Sequence, residues 1–536
     1  MVKDKHIISE IDSFFSKNDC NRAINCIIGT ISRLNLNFSG IGIEKRHNCK
    51  LTSLQVLELL LLFPFFMVRN SFQYSHSGLS KLFSCRKDMF YRFLEQDHID
   101  WRKLVYRMSL RLLRRTGARS DSEGSLQCLI IDDTDLPKTG FKTELIGRIY
   151  SHVLHRSILG FKGLFLCHTD GKTQTMLDFS LHGEEGKNPE KIQGLTSKQR
   201  NARFCKVRDE KSVVNTRIRE YKQSKIERSI EMVRHAMKKG IRFDYLLVDS
   251  WFTCADLIRF ITSRHLECHL IGMLKMGKTR YRTEAGNLNA PVIIDRLKKE
   301  KSVRYSRKLN CYYAHMDAEY ANRKIRIFFC KRGRKGAWNA FLSTDTRLDF
   351  FEAYRIYSMR WAIEVCFSEM KGLLRLGKCQ CRNFSSQIAS ISLTLMQYNI
   401  LSHIKRFEAY ETIGGLFNQT INGTMELSVT ERIWDLILQI VSAIADLFSA
   451  DEEEISAIDG IGPVIAKSLT KYFSNPENNQ KVDHLLKYLH INKEEISGEQ
   501  IFAGMNFVIT GSLEHFSNRG EAKNLIESLG GKVTGS

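Results

Sequence analysis

Hydrophobic positions recur with a helical period over the first 120 residues, through IISEIDSFFSK, LTSLQVLELLLLF and WRKLVYRMSLRLLRR. The pattern predicts a helical segment over 1–120. Within it GLSKLFSCRKDMFYRFL (78–94) splits into two short amphipathic pieces around a polar break. That fits a helix-turn-helix, although short helical pairs are common in proteins of every kind. From residue 126 the period shortens. LQCLIIDDT (126–134) is an apolar run closed by carboxylates, as a buried strand would be. HRSILGFKGLFLCHTD and TQTMLDFSLH predict antiparallel strands. The basic stretch 212–239 predicts a helix, and FDYLLVDSWF (243–252) a second buried strand ending in a carboxylate. Alternation returns across 270–345, with turns at KMGKTRYR and KRGRKGAW, and helical spacing resumes at 349–374, 386–407 and 428–449. Strands, helix, strand, strand-rich insert and helix in that order predict a mixed α/β fold.

Composition narrows the class. With 43% hydrophobic and 26% charged residues the 536-residue chain can bury full cores, which excludes disordered and fibrous classes. The 14 cysteines contain no Cys-x-x-Cys pair and all precede residue 382, which suits free thiols in a reducing compartment. His265, Cys268 and His269, and likewise Cys379 and Cys381, have zinc-compatible spacing, but no matching second pair stands near either group. The longest apolar run, Leu59 to Val68, is ten residues and contains Pro64. A membrane span needs roughly 20. No apolar core follows the opening MVKDKHIISE, so the expected location is the cytoplasm.

Charge divides the chain. The net formal charge is +22, yet residues 451–536 hold 8 Lys/Arg and 13 Asp/Glu, a net of −5, which leaves +27 on residues 1–450. The densest basic stretch is 187–239, with 16 basic and 6 acidic residues. A polyanion is the expected partner of the basic part; the plainer alternative is a charge excess that serves solubility.

Asp132 and Asp249 each close an apolar run. An ionised carboxylate in that position borders a crevice or, alternatively, starts a turn or caps a helix. On a continuous helix over 349–374, Tyr357, Arg360, Glu364 and Lys371 share an arc of about 60° beside an apolar face. One carboxylate between two cations fits an acid at a phosphate-lined groove; a solvated charged face is the other reading. Three carboxylates from two strands and a helix can hold two divalent ions roughly 3.5–4 Å apart, and oxygen ligands favour Mg²⁺ or Mn²⁺.

Residues about 20–449 resemble a bacterial DDE transposase of insertion-sequence family four. The resemblance rests on Tyr357, Arg360, Glu364 and Lys371 at the family's spacing, and on the aspartates of LIIDDTDLPKTG and LLVDSWFT. It implies an RNase H-like catalytic core at 121–449, with a β-rich insertion at about 266–345 and a helical DNA-binding domain at 1–120. It also implies Asp132, Asp249 and Glu364 as catalytic and metal-binding residues. Tyr357, Arg360 and Lys371 would hold the DNA end, with Trp338 a candidate for stacking on a flipped base. For Trp338 an ordinary hairpin-core role competes with that one. Asp132 and Asp133 lie on opposite faces of a strand. The family pattern selects Asp132, and Asp133 stays open.

The tail differs. ISAIDGIGPVIAKSLTKYF (455–473) resembles a helix-hairpin-helix with Gly460 and Gly462 at the hairpin, where backbone N–H groups can approach a phosphate. Residues 499–536 resemble the first half of a BRCT domain. Together with the small helical segment 450–498 they resemble the C-terminus of NAD-dependent DNA ligase. The ligase adenylation motif Lys-x-Asp-Gly is absent, so ligase activity is not implied. The tail is either a fusion remnant or a recruited DNA-binding module.

The expectation is therefore a cut-and-paste transposase. It would act by two-metal phosphodiester hydrolysis and strand transfer at terminal inverted repeats. Its partners would be double-stranded DNA and a second copy in a synaptic homodimer, in a bacterial, nucleoid-associated setting. The alternative is a catalytically inactive or domesticated DNA-binding protein with a nick-binding tail.

Overall fold

Cys128, Leu129, Ile130 and Ile131 are all fully buried. Four such side chains in a row can bury only if both faces of the strand are covered. They begin β1 (Cys128–Pro137), an interior strand of the sheet. After it come β2 (Gly147–Ser151), β3 (Arg156–Thr169), β4 (Gln174–His182), β5 (Tyr245–Val248) and β6 (His269–Leu274). The remaining strands are β7 (Arg280–Thr283), β8 (Gly286–Asn289), β9 (Arg304–Ser306), β10 (Cys311–Tyr320), β11 (Arg323–Arg332) and β12 (Asn339–Ser343).

The helices are α1 (Arg22–Leu34), α2 (Ser53–Leu62), α3 (Lys87–Leu94), α4 (Trp101–Gly117), α5 (Ser197–Asn201) and α6 (Val213–Lys222). They continue with α7 (Lys225–Lys238), α8 (Ala255–Ile261), α9 (Ala290–Lys299), α10 (Phe350–Ser358), α11 (Ala362–Gly372) and α12 (Phe384–Phe407).

This computed structural model describes residues 22–421, except 35–38, 44–50, 78, 81–82, 118–125, 187, 264–267 and 409, together with 506–507, 526 and 532–533. The chain divides into two compact units, Met1–Val429 and Thr430–Ser536.

In the first unit β4, β3 and β1 pair antiparallel in turn, and β5 and β6 follow parallel to β1. That order, β4-β3-β1-β5-β6, is the RNase H-like arrangement expected from the sequence. A parallel neighbour requires a crossover, which α6 and α7 supply between β4 and β5, and α8 between β5 and β6. Alternate residues of β1 feed two cores. Cys128 and Ile130 pack with Ile363 and Phe367 of α11 and with α12, whereas Leu129 and Ile131 pack with Met232 and Val233 of α7 and with α8. The amino-terminal helices share the first core, and Gln397 of α12 donates to the carbonyls of Leu60 and Leu61.

Four details differ from the linear reading. The basic stretch 212–239 forms two helices, because Ser224 caps α7 in a capping box with Glu227. The segment 349–374 is α10 and α11 joined by a 3₁₀ turn, Met359–Trp361. β6, inside the expected insertion at about 266–345, pairs parallel with β5 in the core, and β12 pairs antiparallel with β6, so one 12-stranded sheet runs from core to insert. The insert also carries α9, started by Asn289 as its cap. Finally, β1 does not stop at its aspartates but continues to Pro137.

Candidate active site

The parallel pairing of β1 with β5 ends at the rung Ile131–Val248. Asp132 and Asp249 are the next residues on the two strands. Neighbouring strands lie about 4.8 Å apart, so the two aspartates are cross-strand neighbours at the point where the sheet opens. This corrects the reading of Asp132 as a strand end. β1 goes on because β3 still pairs with it, from Asp132–Phe165 to Pro137–Gly160, and only the edge towards β5 is free.

The two carboxylates are held differently. Oδ1 of Asp249 accepts the N–H groups of Trp251 (2.9 Å) and Phe252 (3.1 Å), and the Thr253 hydroxyl donates to the Asp249 carbonyl (2.8 Å). Oδ1 of Asp132 accepts the Asp133 N–H at 2.8 Å. Burial, reinforced by the nearby Asp249 charge, pushes the Asp132 carboxyl up to about 7 against the pull of Arg360.

The sheet separates the adjacent acids. Asp132 follows the alternation of Cys128 and Ile130 towards α11, while Asp133 faces the other side and ion-pairs with Lys225 of α7. Lys225 also lies 3.9 Å from the ring centroid of Trp251, which is 43% exposed beside Asp249.

Above Asp132 stands the 3₁₀ turn between α10 and α11. From it Arg360 reaches both acids: Nη1 lies 3.0 Å from Oδ2 of Asp132 and Nη2 lies 2.5 Å from Oε1 of Glu364. Burial works against the Arg360 charge, but Tyr357, Glu364 and Asp132 together raise its pKa. The Tyr357 hydroxyl donates to the Val248 carbonyl at 3.2 Å, and its ring stacks on Phe341 at 5.6 Å. Tyr357 thus braces the end of β5 under Asp249, and burial pushes its phenol up to about 12. Lys371 Nζ donates to Thr134 Oγ1 at 2.6 Å, and burial lowers its pKa.

The structure therefore brings Tyr357 to the end of β5, and Arg360 and Lys371 to Asp132 and Thr134 of β1, with Glu364 held to this group through Arg360. Trp338 lies in the insert, half-buried against the second core and 5.8 Å from Lys298 of α9. Gly460 and Gly462 lie outside the described residues, as do helix 428–449 and the hairpin at 455–473. Of the BRCT-like segment only a short parallel pairing, Asn506–Phe507 with Lys532–Val533, is described among its strands.

Linear reading did not single out Thr134, Lys225 or Trp251. Thr134 and Trp251 stand two residues after the predicted carboxylates, and that proximity was the available signal. Lys225 had none, being one of many lysines in a basic stretch.

Among the described residues no three His, Cys, Asp or Glu side chains stand close enough together to share a metal ion. The near pair is Asp132 and Asp249, and Glu364 joins Asp132 through Arg360. The donor set nevertheless fits a hard divalent cation. It is all carboxylate, and a buried carboxyl disfavoured by a neighbouring negative charge gains from a cation.

Comparison with known proteins adds the following. Residues 75–291 match the family described as DDE superfamily endonuclease, and residues 436–482 match the helix-hairpin-helix motif. The first match includes Asp132 and Asp249 and ends before Glu364. Over 89 residues the chain is 48% identical to a DNA ligase of Lachnoclostridium phytofermentans and 44% identical to one of Ruminiclostridium cellulolyticum. Each match covers 16% of this chain and 14% of the ligase. Among solved structures, a piggyBac transposase synaptic complex with hairpin DNA, determined by cryo-electron microscopy, aligns at 12% identity. Its TM-score is 0.39, over 89% of this chain and 86% of that one. The NurA nuclease from Sulfolobus solfataricus aligns at 9% identity with a TM-score of 0.21, over 52% of this chain and 85% of that one. The chain thus carries a DDE superfamily endonuclease region and a carboxy-terminal helix-hairpin-helix. Endonucleases of this superfamily generally depend on a divalent metal, and among the described residues no helix is long and apolar enough to cross a membrane.

Proposed function

We propose that this chain is a DNA transposase that cuts an insertion sequence from its flanks and joins the ends to target DNA. The observation that carries the reading is the meeting of Asp132 and Asp249 just beyond the last β1–β5 rung, under the turn that bears Arg360 and the helix that bears Glu364. Asp132, Asp249 and Glu364 would hold Mg²⁺ or Mn²⁺. Bound there, the metal supplies Lewis-acid activation of water or a 3′-hydroxyl and stabilises the departing oxygen.

The chain's own residues do the rest. The two N–H groups received by Asp249 fix that carboxylate's direction, and Tyr357 holds the strand end from which it projects. Arg360 and Lys371 offer cations to the DNA backbone on the same side as Glu364. Residues 1–450 carry the +27 charge that draws a polyanion to the surface. A helix-hairpin-helix contact through Gly460 and Gly462 would add affinity without sequence preference. Two copies, one on each transposon end, would form the synaptic complex in the bacterial cytoplasm.

The test is incubation of the full chain with duplexes ending in its element's inverted repeats and Mg²⁺ or Mn²⁺. Strand cleavage that Asp249→Asn removes supports the reading. End binding without cleavage under every metal condition would instead support the inactive DNA-binding alternative.

A further inference from the structure

Among the described residues Arg360 is the one side chain that touches both Asp132 and Glu364, and it does so with separate nitrogens of one guanidinium. The contacts are charge-assisted and short, 3.0 and 2.5 Å, and the two acids come from different elements, β1 and α11. Arg360 sits in the 3₁₀ turn Met359–Trp361, so its base is anchored between two helices while its side chain bridges a strand and a helix. The Asp132 side chain is only 14% exposed and that of Glu364 36%. The pair therefore opens towards solvent on the Glu364 side.

We infer that Arg360 is a tethered cation that closes the carboxylate site and is drawn off it by a DNA phosphate, so that metal and DNA bind cooperatively. The inference rests on the metal-site reading above. Its physical basis is competition. Asp132 Oδ2 and Glu364 Oε1 each give the guanidinium a lone pair that a divalent cation would compete for, and a fixed positive charge beside them repels the ion. A phosphate offers Arg360 the same two-oxygen geometry that the two carboxylates offer together. Lys225 cannot take over the role, because it is engaged with Asp133 on the opposite face of β1. By linkage, whatever factor DNA adds to metal affinity the metal must add to DNA affinity. A factor of about ten is ordinary for such coupling. The arrangement would withhold the metal, and hence hydrolysis, until the backbone is in place.

The experiment measures Mn²⁺ binding to the full chain by electron paramagnetic resonance of the free ion. It is done with and without an inverted-repeat duplex whose scissile linkage is replaced by a non-hydrolysable one. For the unsubstituted chain the duplex should tighten Mn²⁺ binding about tenfold. Arg360→Gln should tighten Mn²⁺ binding in the absence of DNA, and the further gain on adding DNA should shrink towards nothing. Arg360→Lys keeps the charge but loses the fork and should fall between, which guards against a variant that does not fold; thermal melts check both. If Arg360→Gln binds Mn²⁺ no more tightly than the unsubstituted chain while Asp132→Asn abolishes binding, the metal site stands and the tethered cation is overturned. If no Mn²⁺ binds to any variant with DNA present, the metal site falls and the inference falls with it.

Discussion

Gly272 tests the architecture of the site without touching a carboxylate. It lies on β6 opposite Val248, and a Cβ built there would stand 2.2 Å from Thr253 Oγ1, 3.1 Å from Thr253 Cγ2 and 3.0 Å from Val248 Cγ2. Two of these contacts are with the residue whose hydroxyl donates to the Asp249 carbonyl at 2.8 Å. Gly272→Ala must therefore turn Thr253 away or spread β5 from β6. Overpacking of this kind costs about 1–3 kcal/mol, and the lost hydrogen bond adds about 1 kcal/mol. Urea unfolding should show a loss of about 2–4 kcal/mol. Cleavage should fall further than stability explains, because a shift of about 1 Å in a reacting group can cost roughly a hundredfold in rate. Gly372→Ala is the control, since a Cβ at that position meets nothing within 4 Å. The double variant Gly272→Ala/Thr253→Ala removes the tightest contacts and should recover most of the stability but not all of the activity. A fully stable, fully active Gly272→Ala protein would refute the claim that this packing sets the Asp249 turn.

Four further outcomes are expected. Asp132→Asn should abolish metal-dependent cleavage, whereas Asp133→Asn, which breaks only a partly exposed pair with Lys225, should cost at most about 1 kcal/mol of stability and spare cleavage; the reverse pattern would move the site to the other face. Lys371→Ala should lower the log–log salt slope of end binding by roughly 0.9, measured by fluorescence anisotropy across a salt series. His168 and His182 are buried and held down to about 4, chiefly by burial. Since the unfolded chain takes up these protons near pH 6.5 and the native one resists them, their contribution is whole above that pH and fades towards pH 4, by at most about 3 kcal/mol each. Urea midpoints at pH 7.5 and 5.0 should differ less in a His168→Gln protein. A chain ending at Val429, the boundary of the first compact unit, should retain end cleavage and lose some non-specific DNA affinity.

Much of the site could be read along the chain because its chemistry is carried by local signals. An apolar run ending in Asp, twice, marks the place where the β1–β5 pairing stops, since a carboxylate there is tolerated only where a sheet opens. The helical spacing of Tyr357, Arg360, Glu364 and Lys371 put one face together without reference to anything else. The 3₁₀ turn escaped that reading, because Met359–Trp361 carries no proline or glycine and its tighter winding depends on what packs around it.

What the sequence alone determined about this protein is the inventory: a buried strand at 128–131, another at 245–248, a helix face with one acid between two cations, and a basic body joined to an acidic tail. Tertiary structure decided the pairings. That Asp132 and not Asp133 meets Asp249 follows from which face of β1 is covered by α11 and which by α7. That β1 outruns β5 follows from its longer partner β3, and that the insert continues the sheet follows from the free edge β6 offers to β12. That Arg360 grips both acids follows from the packing of α11 against β1, which brings Glu364 and Asp132 within reach of one guanidinium. These are long-range facts. Period and propensity constrain residues a few positions apart, while a cross-strand neighbour more than a hundred residues away is chosen by the hydrogen bonds and buried faces of the whole sheet.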